Sequence, residues 1–280
     1  MSDCFKSLDC PIRVVVFCGG PTLDAAVQQF IRRLETEPEI EFLGAFCQSP
    51  GQSFKAVVLD LWQRRGVLAG PLLGVQAMTA IARFLMHPRA AIAQRREGVR
   101  LASRVQFVPD IHAQDVLEQM QDLSPDLGLI YGAPILKPAL FALPTFGTLG
   151  IHHGKVPEYR GKKTTFWAMF NGEKTVGVTI QRVNAGLDTG DVVKAGEVPV
   201  DRRSLRTVWQ ELEALGFDLY LQAILDVKRG AAHYRPQIGK KGPLYRDPSL
   251  SDMLKFHCRQ LKRHLRKHEV ISGWINSGEY

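Results

Sequence analysis

The hydrophobic positions in the first half of the chain alternate between two patterns. Residues 13–20, RVVVFCGG, form an apolar run that ends in paired glycines, which predicts a buried strand followed by a turn. Residues 21–35 place Ala, Val, Phe and Ile at helical spacing, and Pro21 and Thr22 suit a helix start. Repetition of strand and helix predicts an α/β fold: a mostly parallel twisted sheet with helices on both faces. Further strands are predicted at 39–47, 105–111 and 127–133, and a helix at 113–123.

After Pro144 the pattern is less regular, and loops separate short strands. The stretch 237–252 is rich in Gly, Pro, Lys and Asp, which is typical of a linker or a surface strand. The remaining predicted elements are strands at 147–153, 175–183 and 192–200 and helices at 164–173 and 204–230. We predict one catalytic domain over 11–235, which consists of two halves at 11–145 and 146–235. A linker and a basic C-terminal helix are predicted over 236–280.

The charge of the chain suggests the kind of partner. A formal net charge of +8 suits nucleic acid, a phosphorylated small molecule, or folate with its glutamate tail. Much of the excess lies at 83–100 and 254–268, where basic residues recur at helical intervals. A solvated helix face is the simpler interpretation, and a dedicated binding surface is the alternative. An anionic ligand is therefore expected, although the sign of the charge does not choose between these partners.

The sequence disfavours membrane and metal-binding classes. It has no apolar run of about 18 residues and no signal-peptide pattern, so we expect no membrane span and a cytoplasmic location. The five cysteines are scattered and lack metal-ligand spacing, so we expect reduced thiols and no metal site. A homodimer stays open as the oligomeric state.

A histidine and an aspartate stand beside the ends of two predicted strands. His152 ends the apolar run GTLGIH, and Asp188 lies between Gly186 and Gly190 in the turn after the strand at 175–183. Strand ends are where α/β folds gather catalytic groups, and a carboxylate beside an imidazole fixes its tautomer and can exchange a proton with it. Each residue also has a structural alternative, since a histidine can satisfy backbone carbonyls and an aspartate can cap a turn.

Three segments in order carry a family resemblance: YGAPILKPALFALPTFGTLGIHHGKVPEYRG at 131–161, TFWAMFNGEKTVGVTI at 165–180 and GLDTGDVV at 186–193. They resemble the folate-dependent formyltransferases, the family that contains methionyl-tRNA formyltransferase, glycinamide ribonucleotide formyltransferase and the sugar N-formyltransferases. The resemblance is strongest from 125 to 195. It implies a Rossmann-like formyltransferase fold and transfer of a formyl group from 10-formyltetrahydrofolate to an amine, without a metal.

The resemblance also implies roles for individual residues. The anchors Pro157 and Arg160-Gly161 place the family's catalytic histidine on His152 and its aspartate on Asp188. His152 as imidazolium would then stabilise the oxyanion, while Asp188 keeps it charged and assists proton removal from the amine. The implied donor-binding residues are Gly132, Ala133, Pro134, Ile135, Leu136, Asn184 and Gly186, and the implied acceptor-binding residues are His153, Lys155, Tyr159 and Arg160.

The sequence departs from the family pattern at two places. The family's Asn-x-His motif has an asparagine that donates a hydrogen bond near the formyl oxygen, and Gly150 stands at that position. Loss of one such donor typically costs on the order of 10²–10³ in rate, so His153, Lys155 or an ordered water would have to replace it. The family's Ser-Leu-Leu stretch is also changed, to Gly154-Lys155-Val156, on the acceptor side.

The acceptor that we expect is a small-molecule amine, such as a nucleotide-linked amino sugar. The 50 residues after position 230 are fewer than the usual C-terminal domain of a methionyl-tRNA formyltransferase. The basic stretch at 254–268 keeps RNA contact open, but no RNA-binding motif accompanies it, so nucleic acid is the disfavoured partner. Three alternatives stay open: a folate-binding protein with altered or lost transfer activity, a hydrolase of the formyl donor, and a tRNA-directed formyltransferase.

Overall fold

The computed structural model of the chain describes residues 10–20, 22–49, 78, 86, 88–201 and 203–260. The chain forms two compact units, Met1–Leu149 and Gly150–Tyr280. Their boundary lies close to the division between halves that the sequence predicts after residue 145.

The first unit contains a parallel sheet with the strand order β3-β2-β1-β4. Its central strand β1 is apolar along its length, and residues 14–18 are fully buried, as expected for a strand covered on both faces. The elements are β1 (Ile12–Gly19), α1 (Ala25–Thr36), β2 (Ile40–Gln48), α2 (Pro88–Leu101), β3 (Val105–Val108), α3 (Gln114–Leu123), β4 (Leu127–Ile130) and α4 (Pro138–Phe141).

Two boundaries in the first unit differ from the predicted ones for local chemical reasons. Helix α1 begins at Ala25, after the predicted start, because the Asp24 side chain accepts a hydrogen bond from the Val27 amide at 2.8 Å and caps the helix. Strand β3 ends at Val108, before the predicted end, because Pro109 has no amide hydrogen for the ladder.

Most of the described part of the first basic stretch, residues 83–100, lies in helix α2. Its described arginine side chains are exposed to solvent or lie beside carboxylates. Arg95 and Arg96 are exposed, while Arg100 and Arg32 lie 2.7 Å and 2.9 Å from the carboxylate of Glu97. These two guanidinium groups lower the pKa of Glu97 to about 2. The arrangement agrees with a solvated helix face.

Among the described cysteines, three follow the prediction and one does not, while Cys4 lies outside the described residues. Cys18 and Cys47 are buried free thiols and Cys258 is an exposed free thiol. The expectation of reduced thiols is wrong for Cys10, which is disulfide-bonded. Sequence spacing does not reveal such a bond, because folding decides which sulfur atoms meet.

The second unit contains the hydrogen-bonded strand order β5-β7-β8, in which β7 and β8 are antiparallel. A short parallel pair, β6 with β9, forms beside it. The elements are β5 (Thr148–His152), β6 (Arg160–Gly161), α5 (Thr164–Asn171), β7 (Thr175–Arg182), β8 (Val192–Pro199), α6 (Leu205–Lys228) and β9 (Leu244–Tyr245). The predicted fold class, α/β with a mostly parallel sheet, is confirmed.

Helix α6 and the C-terminal residues complete the core of the second unit. Ser204 caps α6 by accepting a hydrogen bond from the Thr207 amide, and the helix buries Val208 and Leu212 in the same cluster as Val178 of β7. The predicted linker contributes the strand β9, and residues 250–260 are helical. Phe256 from this helical stretch is buried against Phe166, with ring centroids 4.9 Å apart. Residues 236–260 therefore belong to the packed part of the second unit.

The helices that the structure describes include none long and apolar enough to cross a membrane.

Candidate active site

His152 and Asp188 lie together in the second unit. His152 is the last residue of β5 and is buried, and its Nδ1 atom is 3.4 Å from Oδ1 of Asp188. Its Nε2 atom is 2.7 Å from the carbonyl oxygen of Tyr159. Both ring nitrogens therefore face an acceptor oxygen, one from a side chain and one from the backbone.

The Asp188 carboxylate also accepts hydrogen bonds from two other elements. The Gly161 amide of β6 donates to Oδ2 at 2.7 Å, and the side-chain amide of Gln181, near the end of β7, donates to Oδ1 at 3.3 Å. Asp188 itself has the left-handed backbone conformation, with φ +51°. This conformation is uncommon outside glycine, and aspartate and asparagine tolerate it better than most residues. Donors on both oxygens hold the carboxylate in a fixed orientation beside His152.

The Asp188 loop, residues 183–191, is closed by its own side chains. Asn184 Oδ1 accepts from the Gly186 amide at 3.0 Å and from Thr189 Oγ1 at 2.8 Å. Asn184 Nδ2 donates to the Thr189 carbonyl at 3.1 Å. Gly190 has no room for a side chain, since a Cβ atom would overlap the carbonyl of Arg182. The predicted donor-binding residues Asn184 and Gly186 thus form hydrogen bonds that shape this loop.

Gly154 lets the loop after β5 pack closely against His152. A Cβ atom at Gly154 would lie 2.5 Å from both His152 Nε2 and the Tyr159 carbonyl oxygen, the two atoms that are in contact with each other. The Gly154 carbonyl accepts a hydrogen bond from Thr179 Oγ1 of β7 at 2.9 Å. The Val156–Pro157 peptide bond in this loop is cis. The change from the family's serine to glycine at this position therefore fits the close packing around His152.

Two of the predicted acceptor-binding residues are paired with carboxylates. The side chain of His153, the residue after β5, lies against α6, where Nε2 is 2.7 Å from Glu213 Oε2 and the ring is 4.5 Å from that of Trp209. Burial, with the nearby charge of His152, lowers the pKa of His153 to about 3. Lys155 Nζ lies 2.6 Å from Glu197 Oε2 and donates to Thr175 Oγ1 at 2.5 Å. Neither contact brings these side chains to Asp188.

Tyr159 and Arg160 have different surroundings. The Tyr159 ring stacks on Tyr245 with centroids 5.3 Å apart, and its hydroxyl donates to Glu173 Oε1 at 2.9 Å. Burial, together with Glu173, raises the pKa of Tyr159 to about 12. Tyr159 thus contributes its carbonyl to His152 and its ring to the core. Arg160 is half-buried in β6, and its Nε atom has no hydrogen-bond partner within the described ranges.

The predicted donor-binding stretch of the first unit follows strand β4. Gly132 has φ +66°, and its carbonyl oxygen would lie 3.1 Å from a Cβ atom at Gly19, so the turns after β1 and β4 pack closely. Leu136 is buried, whereas Ile135 exposes 68% of its surface. A large exposed apolar side chain beside free-standing backbone is suited to cover a flat ring.

Three groups at the site were not predicted as site residues. Gln181 lies in a predicted strand, and its signal is a polar residue at the end of the apolar run VGVTI. Gly161 acts through its backbone amide, and Gln237 comes from the predicted linker, so neither has a sequence signal. In the part of the chain that the structure describes, no three His, Cys, Asp or Glu side chains are grouped to hold a metal ion.

Comparison with known proteins places this geometry in a family. Residues 86–224 match the family model described as formyl transferase. The chain belongs to the folate-dependent formyltransferase family. The family match includes both His152 and Asp188, and residues 86–224 extend over parts of both units.

Curated relatives in this family carry the name methionyl-tRNA formyltransferase. The protein of Halothermothrix orenii is 30% identical over 136 residues, which is 48% of this chain and 43% of that protein. The protein of Methylacidiphilum infernorum is 33% identical over 135 residues, which is 47% of this chain and 42% of that protein. The matches thus span less than half the length of these relatives.

Solved structures of the family share the fold. Glycinamide ribonucleotide transformylase 1 from Symbiobacterium toebii has a TM-score of 0.55 at 17% identity, and the match covers 82% of this chain and 95% of that one. A sugar N-formyltransferase from a Shewanella species has a TM-score of 0.55 at 13% identity, with coverage of 88% and 86%. HypX from Aquifex aeolicus in complex with tetrahydrofolic acid has a TM-score of 0.54 at 17% identity, with coverage of 86% and 30%.

The first prediction concerns Gly154. We expect Gly154→Ala to destabilise the protein by roughly 1–3 kcal/mol, because the new methyl group must displace the His152 ring or the Tyr159 carbonyl. Urea unfolding measures this loss, and NMR of the His152 imidazole reports the broken contact. Gly98→Ala in α2 is the matched control, since its Cβ atom would meet only Gln28 Nε2, at 3.4 Å. Equal stability of the two variants would contradict the close packing described for the site.

The second prediction concerns Tyr159. In the unfolded chain its phenol ionises near pH 10, whereas in the folded protein it ionises near pH 12. Its contribution to stability is therefore present below pH 10 and is lost as the pH rises towards 12. We expect the phenolate absorbance, measured in the ultraviolet as the pH is raised, to include a transition near pH 12. This transition should disappear in Tyr159→Phe and persist in Tyr234→Phe. If it remains in Tyr159→Phe, it belongs to another tyrosine.

Proposed function

We propose that this protein transfers a formyl group from 10-formyltetrahydrofolate to the amine of a small molecule, with a nucleotide-linked amino sugar as the preferred class of acceptor. The observation that carries the proposal is the contact between the buried His152 and the half-buried Asp188, with 3.4 Å between Nδ1 and Oδ1, in a chain of the formyltransferase family. In the reaction a bond forms between the amine nitrogen and the formyl carbon, and the bond from that carbon to folate nitrogen N10 breaks. The products are the N-formyl amine and tetrahydrofolate.

The two side chains have complementary parts in this reaction. His152 as imidazolium donates a hydrogen bond to the oxyanion that develops on the formyl oxygen. Because Nε2 faces the Tyr159 carbonyl in this structure, the oxyanion has to replace that carbonyl as its acceptor. Asp188 keeps the ring protonated and helps to remove a proton from the attacking nitrogen, and N10 leaves with a proton.

The residues proposed for the donor are taken unit by unit: the loop after β4 in the first unit, and separately the Asp188 loop in the second. Backbone groups of Gly132–Leu136 can pair with the donor and acceptor edge of a pterin, and the exposed Ile135 can cover its face. Backbone atoms of residues 184–188 supply a second set, since the Asn184 side chain is used to close the loop. The excess of positive charge, +8, favours a donor with a glutamate tail and an acceptor with phosphates.

Two observations favour alternatives to a small-molecule acceptor. The relatives from Halothermothrix orenii and Methylacidiphilum infernorum are named methionyl-tRNA formyltransferases, which keeps a tRNA acceptor open. Gly150 stands where the family has an oxyanion-donating asparagine, which keeps open a folate-binding protein with lost transfer activity or a hydrolase of the donor. His153 and Lys155 are paired with Glu213 and Glu197, so neither of these two side chains is placed to replace the asparagine.

The third prediction tests transfer and names the acceptor. Tetrahydrofolate release from 10-formyltetrahydrofolate is measured with nucleotide-linked amino sugars, with methionyl-tRNA, and without an acceptor. We expect release that depends on an amino sugar, and we expect His152→Ala and Asp188→Asn each to lower kcat by roughly 10²–10⁴. His257→Ala, an exposed histidine of the C-terminal helical stretch, is the control.

Any other result of this assay would overturn the proposed function and favour one of the alternatives. Release that depends on methionyl-tRNA favours the tRNA-directed enzyme, and release without an acceptor favours a hydrolase. Tight folate binding without release in any arm favours a binding protein.

The fourth prediction concerns Gly150. We expect Gly150→Asn to raise kcat by about 10-fold or more, because it restores a donor beside the formyl oxygen. Gly150→Leu, with the same number and branching of side-chain heavy atoms as asparagine and no donor, should not raise kcat, which shows whether the hydrogen bond is needed. An unchanged or lower kcat in Gly150→Asn would mean that another group already supplies the donor.

A further inference from the structure

The segment that follows helix α6, residues 231–237, is attached to the Asp188 loop. Arg235 and Val192 exchange backbone hydrogen bonds at 2.9 Å and 2.8 Å. The guanidinium carbon of Arg182, at the other end of the loop, lies 5.3 Å from the centroid of the Tyr234 ring. These contacts fix the segment beside both ends of the loop, so the side chain of Gln237 is delivered to the loop in a defined position.

The side-chain amide of Gln237 meets three acceptors. Its Nε2 atom donates to the Gly190 carbonyl at 2.8 Å, to the Asp188 carbonyl at 3.1 Å and to Gln181 Oε1 at 3.2 Å. A primary amide carries two N–H donors, so these three oxygens share them. Two of the three oxygens belong to the backbone of the Asp188 loop, one of them to Asp188 itself.

The contact with Gln181 also determines which way that amide points. Since Gln181 directs its oxygen at the Gln237 donor, it directs its nitrogen at Asp188 Oδ1, 3.3 Å away. If position 237 offered an acceptor instead, the Gln181 amide would be drawn to turn, and its oxygen would then face the carboxylate. Gln237 thus acts on Asp188 by two routes, through the backbone carbonyl and through the orientation of Gln181.

We propose that Gln237 is a positioning residue that sets the Asp188 carboxylate against His152. The inference rests on the proposed function for its effect on rate, and on geometry alone for its effect on Asp188. Asp188 holds a left-handed conformation, with φ +51°, which the surrounding contacts have to maintain. Small displacements of a group that orients the reacting centre can cost on the order of 10² in rate. Loss of the two hydrogen bonds from Gln237 to this loop should therefore lower the rate of transfer.

The test compares two replacements of Gln237 with a matched control. Gln237→Met keeps the length and volume of the side chain and removes the donors, while Gln237→Glu replaces the donors with acceptors that face three oxygens. Gln222→Met makes the first change on the exposed face of α6. We expect kcat to fall by about 10- to 100-fold in Gln237→Met and further in Gln237→Glu, with the KM of the donor within about twofold of the unsubstituted protein. Gln222→Met should leave both constants unchanged.

Hydrogen exchange of the Gly161 amide gives a readout that does not require transfer activity. This amide donates to Asp188 Oδ2 at 2.7 Å, so displacement of the carboxylate exposes it and its exchange becomes faster. We expect faster exchange at Gly161 in both Gln237 variants and not in Gln222→Met, in proteins that thermal melting shows to be folded.

The two readouts separate the failure of this inference from failure of the proposed function. Faster Gly161 exchange with a lower kcat supports both. Faster exchange in a protein whose unsubstituted form transfers no formyl group supports the positioning role and overturns the proposed function. Unchanged exchange at Gly161 in Gln237→Met overturns the positioning role, whether or not kcat changes.

Discussion

The Asp188 carboxylate is the group on which the arrangement of the second unit's site depends. Its two oxygens meet the imidazole of β5, the backbone amide of Gly161 in β6 and the side-chain amide of Gln181 in β7. A half-buried carboxylate loses part of its hydration, and donors of this kind replace the water that it loses. Three stretches of chain that are distant in sequence are therefore held in one geometry by the need to satisfy a single charge.

The same requirement explains the unusual backbone around the site. Asp188 lies in the left-handed region, Gly154 leaves space at the contact between His152 and Tyr159, and Gly190 leaves space at the carbonyl of Arg182. At each position, an ordinary backbone conformation or a side chain is absent, and polar atoms come within hydrogen-bond distance. Such local costs are typical of functional sites, where the surrounding structure maintains them.

Two adjacent histidines at the end of β5 lie in different surroundings. His152, the last residue of the strand, faces the Asp188 carboxylate and the Tyr159 carbonyl. His153, the next residue, packs against Trp209 and Glu213, and burial lowers its pKa to about 3. Neighbouring residues of the same type thus meet different partners, because their side chains reach different elements.

The sequence by itself determined the fold class and the family. Apolar runs with β-branched residues favour strands covered on both faces, and residues 14–18 of β1 are fully buried. The sequence also singled out His152 and Asp188, which the structure brings within 3.4 Å of each other.

Only the tertiary structure decided what surrounds those two residues. The donors to Asp188 come from a backbone amide and from glutamines 181 and 237, and neither composition nor spacing marks them. The pairing of His153 with Glu213, of Lys155 with Glu197, and of Phe256 with the core likewise joins residues far apart in sequence. The physical reason is that hydrogen bonds and packing depend on distances of a few ångströms in space, whereas periodicity and motifs report only distances along the chain.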